Sequence, residues 1–89
     1  MPDAAIRAAT RAYLRDNFLY MRPNLKVGDG DSLLKAGVID SLGVMELVQF
    51  VERDFGIAVD PSEIVEANFV SIDNIARYVV GKKAVQPSA

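Results

Sequence analysis

Every apolar period in this chain that runs longer than a few residues is helical. The β-like runs Ile57-Ala58-Val59 and Phe69-Val70 are too short to build a sheet, so the sequence predicts an all-α domain. Residues 3–20 place Ile6, Ala9, Tyr13, Leu14 and Phe18 at helical spacing, with Ala and Arg between them as good helix formers. Residues 41–55 are the best helix, with Val44, Leu47, Val48, Val51 and Phe55 as its buried stripe and Gly56 as its stop. Asp60 and Pro61 form an N-cap and first-turn pair for a short helix reaching about Glu66. A last helix begins near Ser71, turns Ile72, Ile75, Ala76 and Val79 inward, and ends before Gly81. The expected domain, residues 1–81, therefore holds three main helices and one short one, and residues 82–89 form a flexible tail.

Between helices one and two the period is lost, and Pro23, Gly28, Gly30 and Gly37 punctuate a long connection. Loops of that length are uncommon in compact domains. Leu25, Val27, Leu33, Leu34, Val38 and Ile39 give this one apolar anchors, so it is expected to be ordered, to pack over the helices and to hold a short helical turn near Ser32 to Lys35.

With 89 residues, 51% of them hydrophobic and 25% charged, the chain has the balance of an ordinary soluble domain with a single core. It has no cysteine, hence no disulfide or thiolate nucleophile, and it must stand on packing alone. Histidine is also absent, which removes the usual general base near neutral pH and the usual zinc ligands. Catalysis at Ser41 would fall to carboxylates or lysines with no nucleophile–base spacing, so the chain is read as a non-enzyme without a metal site. Nothing resembles a secretory leader, and no stretch approaches the ~18 apolar residues of a spanning helix, so secretion and membrane insertion are not expected.

Charge is unevenly placed. Residues 1–35 carry six bases against four acids, whereas residues 40–66 carry seven acids (Asp40, Glu46, Glu52, Asp54, Asp60, Glu63, Glu66) against the single base Arg53. An acidic middle speaks against nucleic acid as a partner. Arg7, Arg11 and Arg15, at steps of four, make a basic stripe that reads as a solvated face. Leu42, Met45, Gln49 and Phe50 lie off the core stripe of the second helix, and both a wide core face and a docking face would account for them.

Ser41 is a good N-cap, and Asp40 favours the positive end of the same helix dipole by about 0.3–1 kcal/mol. A serine there exposes its hydroxyl where free backbone N–H groups suit an attached phosphate. It also needs no chemistry to be useful, since capping alone stabilises a helix by about 1 kcal/mol.

The segment Gly37-Val38-Ile39-Asp40-Ser41-Leu42, with Met45, Glu46, Leu47 and Phe55 behind it, closely resembles the acyl carrier protein family. Phe55-Gly56-Ile57 and the closing Ile75-Ala76-Arg77-Tyr78-Val79 extend the likeness over residues 6–80. The resemblance implies a four-helix bundle in which Ser41 takes 4'-phosphopantetheine from coenzyme A and holds acyl groups as thioesters. It implies that Asp40 helps the phosphopantetheinyl transferase and its magnesium engage the site. Leu42, Met45 and Glu46 match positions that meet partner enzymes, here an acyl-ligase, synthase or acyltransferase, through an apolar patch ringed by acids. The implied protein is a cytoplasmic monomer serving fatty-acid, polyketide or related biosynthesis.

Two departures point toward a specialised pathway. The loop ends in Gly-Val-Ile-Asp-Ser, where housekeeping fatty-acid carriers commonly have Gly-Ala-Asp-Ser or Gly-Leu-Asp-Ser, and Gly43 stands where they often have Asp. An aminoacyl or peptidyl carrier, and a helical interaction module without a prosthetic group, stay open as alternatives.

Overall fold

A computed structural model describes residues 2–20, 22 and 25–85 of the chain. Among them there are helices and turns and no strand, as the periodicity predicts. Pro23 and residues 86–89 of the expected tail lie outside the described residues. No helix among the described residues is long and apolar enough to cross a membrane.

Helix α1, Asp3–Leu14, buries Ile6, Thr10 and Leu14, one side chain per turn on one face. The Thr10 hydroxyl is satisfied inside that face by donating to the Ile6 carbonyl at 2.8 Å. The helix then widens into a π-helical turn, Arg15–Leu19, instead of running on as a regular α-helix to residue 20. In this segment the backbone ladder shifts from i+4 to i+5 spacing, and the Asn17 side-chain amide donates to the Tyr13 carbonyl at 2.9 Å. Phe18 is thereby set half-buried, edge-on to Tyr13 with ring centroids 5.8 Å apart.

Helix α2, Ser41–Phe55, buries Leu47, Val48, Val51 and Phe55 as expected, with Val44 half-buried against them. Gly56 ends it in the left-handed conformation, φ 66°, with its N–H on the Glu52 carbonyl. Phe50 departs from the expectation that it lies off the core stripe: it is buried, stacked on Tyr13 at 4.2 Å and edge-on to Phe55 at 5.4 Å. An aromatic partner on α1 has widened the core face beyond the stripe that α2 alone defines.

The short helix expected from Asp60 to about Glu66 is divided in two. Asp60 caps a 3₁₀ turn, Pro61–Glu63, in a reciprocal capping box with Glu63. A separate four-residue helix α3, Glu66–Phe69, follows and plugs Phe69 into the core. Helix α4, Ile72–Val85, turns Ile72, Ile75, Ala76 and Val79 inward and packs against α1 and α3. It does not end before Gly81. Gly81 costs an exposed helix about 1 kcal/mol relative to Ala, but Lys82 just beyond it reaches Glu63 at 2.8 Å and fastens the last turns to the 3₁₀ turn.

The long loop is ordered over the bundle, with Val27, Leu33, Val38 and Ile39 buried. The helical turn expected near Ser32 is a hydrogen-bonded turn: Ala36 N–H donates to the Ser32 carbonyl, and Lys35 N–H to the Ser32 hydroxyl. It closes with Gly37 N–H on the Leu34 carbonyl and Val38 N–H on the Leu33 carbonyl, a paired ending that requires a left-handed residue. Gly37 supplies it at φ 74°. Two further backbone bonds, Leu33 N–H to the Val70 carbonyl at 2.8 Å and Asp73 N–H to the Asp29 carbonyl at 2.9 Å, tie the loop to the start of α4.

The basic stripe is more than a solvated face. Arg7 meets Asp3 at 2.8 Å, Asp29 at 2.9 Å, and Asp73. Arg11 reaches Asp29 and donates to the Val27 carbonyl at 2.8 Å. Two of the three arginines therefore strap the loop to α1 and α4, and Arg15, paired with its neighbour Asp16, alone fits the expectation.

These straps are acid-sensitive. Arg11, with Arg7 behind it, holds the Asp29 carboxyl below its ordinary range, and Lys82 does the same for Glu63. A depressed folded pKa contributes stability that is present above the unfolded value and is lost as pH falls through the folded one. The melting temperature is therefore expected to be flat near neutrality and to drop below about pH 4. Melting curves recorded from pH 7 downward check this, and an unchanged melting temperature at pH 2.5, about one unit or more below the ordinary carboxylate value, would show that the straps contribute nothing net.

Candidate functional site

The start of α2 is where the sequence-marked residues meet. Asp40 sits in extended conformation and its carboxylate accepts the Gly43 N–H at 2.8 Å. Asp40 is therefore the N-cap, and Ser41, expected in that role, is the first helical residue. Adjacent Asp and Ser are both good caps; the one whose backbone is still extended when the helix begins takes the bond. The Ser41 hydroxyl is left exposed, with no hydrogen bond to any described residue. The neighbouring Asp40 carboxylate spends one oxygen on the Gly43 N–H and makes no hydrogen bond to this hydroxyl.

This cap changes the electrostatics expected at Ser41. One of the N–H groups that would favour an anion already faces a carboxylate, so a phosphate ester on Ser41 would meet the dipole partly offset by Asp40.

One turn further, Leu42 is 77% exposed and Met45 46% exposed, with Glu46 and Gln49 exposed beside them. Positions 42, 45, 46 and 49 lie on one face. Leu42 and Met45 are unburied by the bundle, so the wide-core account holds for Phe50 and fails for these two.

Gly43 fixes the opposite side. A Cβ there would lie 3.0 Å from the Ile39 Cβ, 3.2 Å from the Phe18 ring and 3.4 Å from the Asp40 carboxylate. Phe18, delivered by the π turn, thus packs directly on the first turn of α2. It walls an open cleft of about 480 Å³ with Leu34, Gly37, Val38, Ile39, Asp40 and Ser41. A second, apolar hollow of about 110 Å³ lies between α2 and α3, lined by Leu34, Val44, Ile64, Val65, Glu66, Phe69 and Val70. Sequence reading missed Phe18 and Leu34 as neighbours of Ser41. Their periodicity marks them only as core and loop anchors, and no local signal announces the π turn.

The arrangement is that of a presented hydroxyl: exposed, at a helix start, with open space on one flank and exposed apolar side chains on the other. No curated protein matches the chain at a significant level. A family model described as the phosphopantetheine attachment site matches residues 18–79, from Phe18 of the π turn to Val79 of α4, which is more than half of the chain and includes the whole of α2. Members of that family are carriers and not catalysts. This chain belongs to the phosphopantetheine attachment site family, helical carrier domains of the acyl carrier type that bear 4'-phosphopantetheine covalently.

Proposed function

We propose that Ser41 is the residue that bears the arm, and that the protein holds acyl groups on it as thioesters and presents them to partner enzymes of a specialised biosynthetic pathway. The observation that carries this reading is the free, exposed Ser41 hydroxyl on the first turn of α2, inside the matched segment and beside a cleft with room for an attached group. The arm supplies a thiol for thioester exchange when attached; the chain itself supplies the attachment point, its orientation and the recognition surface. In this reading Asp40 sets the helix start that a phosphopantetheinyl transferase recognises. Acyl-ligase, synthase or acyltransferase enzymes then use the same end of α2. The lack of cysteine suits a reducing compartment, and we place the protein in the cytoplasm. Incubation with coenzyme A and a broad-specificity transferase, followed by intact mass and peptide mapping, tests it: one increment on the Ser41 peptide is expected. An increment on Ser32, Ser62 or Ser71, or none, would overturn the assignment.

Leu42, Met45 and Glu46 are the docking face in this reading, an apolar pair with an acid at its edge. Glu46→Lys is expected to leave stability within about 0.5 kcal/mol of wild type, as exposed substitutions do. Its rate of modification is expected to fall about three- to tenfold at low salt and to recover as salt rises, because rim charges act through steering that is screened over roughly 10 Å at 0.1 M. Val51→Ala, at a fully buried position, is the opposite control: it is expected to lose about 1–3 kcal/mol of stability and to keep the salt dependence of the wild type. Equal rates for Glu46→Lys and wild type at low salt would remove the acid from the docking face.

A further inference from the structure

We propose that the cleft between the π turn and the loop is the resting site of the arm, and that Leu34 is the partition that keeps the arm out of the smaller hollow under α3. The inference rests on the reading of Ser41 as the attachment residue.

Two hollows flank the first turns of α2, and they differ in size and in their relation to Ser41. Ser41 is itself a wall of the larger one, so a group esterified to its hydroxyl starts at the edge of that cleft. Ser41 is not among the residues lining the other. Small-molecule sites typically measure about 300–1,000 Å³; the cleft at about 480 Å³ falls within this range and the hollow at about 110 Å³ does not.

The cleft also matches the arm's chemistry, in which methyl and methylene groups alternate with two amides. Phe18 and Leu34 offer apolar walls. Polar partners lie at the Gly37 edge. There the Arg22 guanidinium donates to the Gly37 carbonyl at 2.8 Å, and no carboxylate among the described residues pairs with it, so its other N–H groups remain available to an amide carbonyl or a phosphate oxygen. The place over Gly37 where a Cβ would stand lies 3.4 Å from Arg22 Nη1, so a side chain at this position would crowd the guanidinium.

Leu34 belongs to the walls of both hollows. It is 38% exposed, whereas its loop neighbours Leu33, Val38 and Ile39 are buried. More than a third of this residue is left open by the core, and it stands between the two spaces. Its truncation would remove the shared wall and leave the hydrogen bonds of its turn, which are backbone bonds, in place.

The test compares isotopically labelled protein before and after modification, with intact mass confirming one arm on Ser41. The resonances of Phe18, Leu34, Gly37 and Val38 are expected to shift, with contacts from the arm's methyl groups to the Phe18 ring, while those of Ile64, Val65 and Phe69 stay in place. In Leu34→Ala the shifts are expected to spread to Ile64, Val65 and Phe69, because the shared wall is gone and the arm gains the smaller hollow. Shifts confined to Ile64, Val65, Phe69 and Val70 in the wild type would overturn the cleft, and an unchanged pattern in Leu34→Ala would overturn the partition, both leaving Ser41 as the attachment residue. Failure of Ser41 to load would overturn both.

Discussion

Ser41→Ala is expected to abolish modification completely while leaving stability within about 0.5 kcal/mol of wild type. Both halves follow from the cap. If Ser41 held the N-cap, its loss would cost about 0.5–2 kcal/mol; with Asp40 in that position, Ser41 is an exposed helical residue with no hydrogen bond to any described residue. Alanine is the better helix former there. Asp40→Ala is the counterpart, expected to lose about 1 kcal/mol because the Gly43 N–H loses its acceptor. No other serine in the described helices and turns is presented in this way. Ser71 is buried and bonded twice to Asn74, Ser62 donates to the Asp60 carboxylate, and Ser32 accepts from Lys35. Mass spectrometry beside a denaturant melt checks both halves. Residual loading of Ser41→Ala would sink the assignment of the arm, and a loss near 1 kcal/mol, the ordinary worth of a cap, would return the capping role to Ser41.

Gly43→Asp is expected to cost about 2 kcal/mol, because it combines overpacking, typically about 1–3 kcal/mol, with a second carboxylate beside the cap. The added Cβ would press on the Ile39 Cβ and the Phe18 ring at 3.0 and 3.2 Å, and neither is the loose end of a flexible chain. Opposing this is the helix gain from replacing glycine, about 0.5–1 kcal/mol, which is too small to reverse the sign. For a domain of this size the melting temperature falls by about 8–16 °C. Gly43→Ala separates the terms, since it keeps the Cβ contact and omits the charge; its loss is expected to be smaller by about 1 kcal/mol or more. A Gly43→Asp protein as stable as wild type would show that Phe18 yields freely. The aspartate frequent at this position in the carriers that the sequence resembles would press on Phe18 as it packs here.

The parts of the fold that periodicity marks were legible. The stripes of α2 and α4 came through residue by residue because each is long enough to declare a period. The start of α2 was legible through the motif around it. What escaped was set by contacts distant in sequence or by elements too short to show a period. Phe50 joins the core only because Tyr13 stacks on it. Arg7 binds Asp29 and Asp73, 22 and 66 residues away, which a stripe of cations cannot announce. The four residues of α3 hold barely one turn. The cap moved by one residue because Asp and Ser are equally good at it, and only the backbone decides between them.

Arg7 has a kinetic consequence. By joining Asp3, Asp29 and Asp73, it closes a ring that runs through most of the chain. Contacts of such separation meet their loop-closure cost late, so Arg7→Ala is expected to unfold faster and to refold at nearly the wild-type rate, which stopped-flow traces in both directions check. An interaction of that kind acts on the escape rate from the native state and hardly on the rate of reaching it. Equal unfolding rates for Arg7→Ala and wild type would show that the clasp does not govern how long the bundle stays closed.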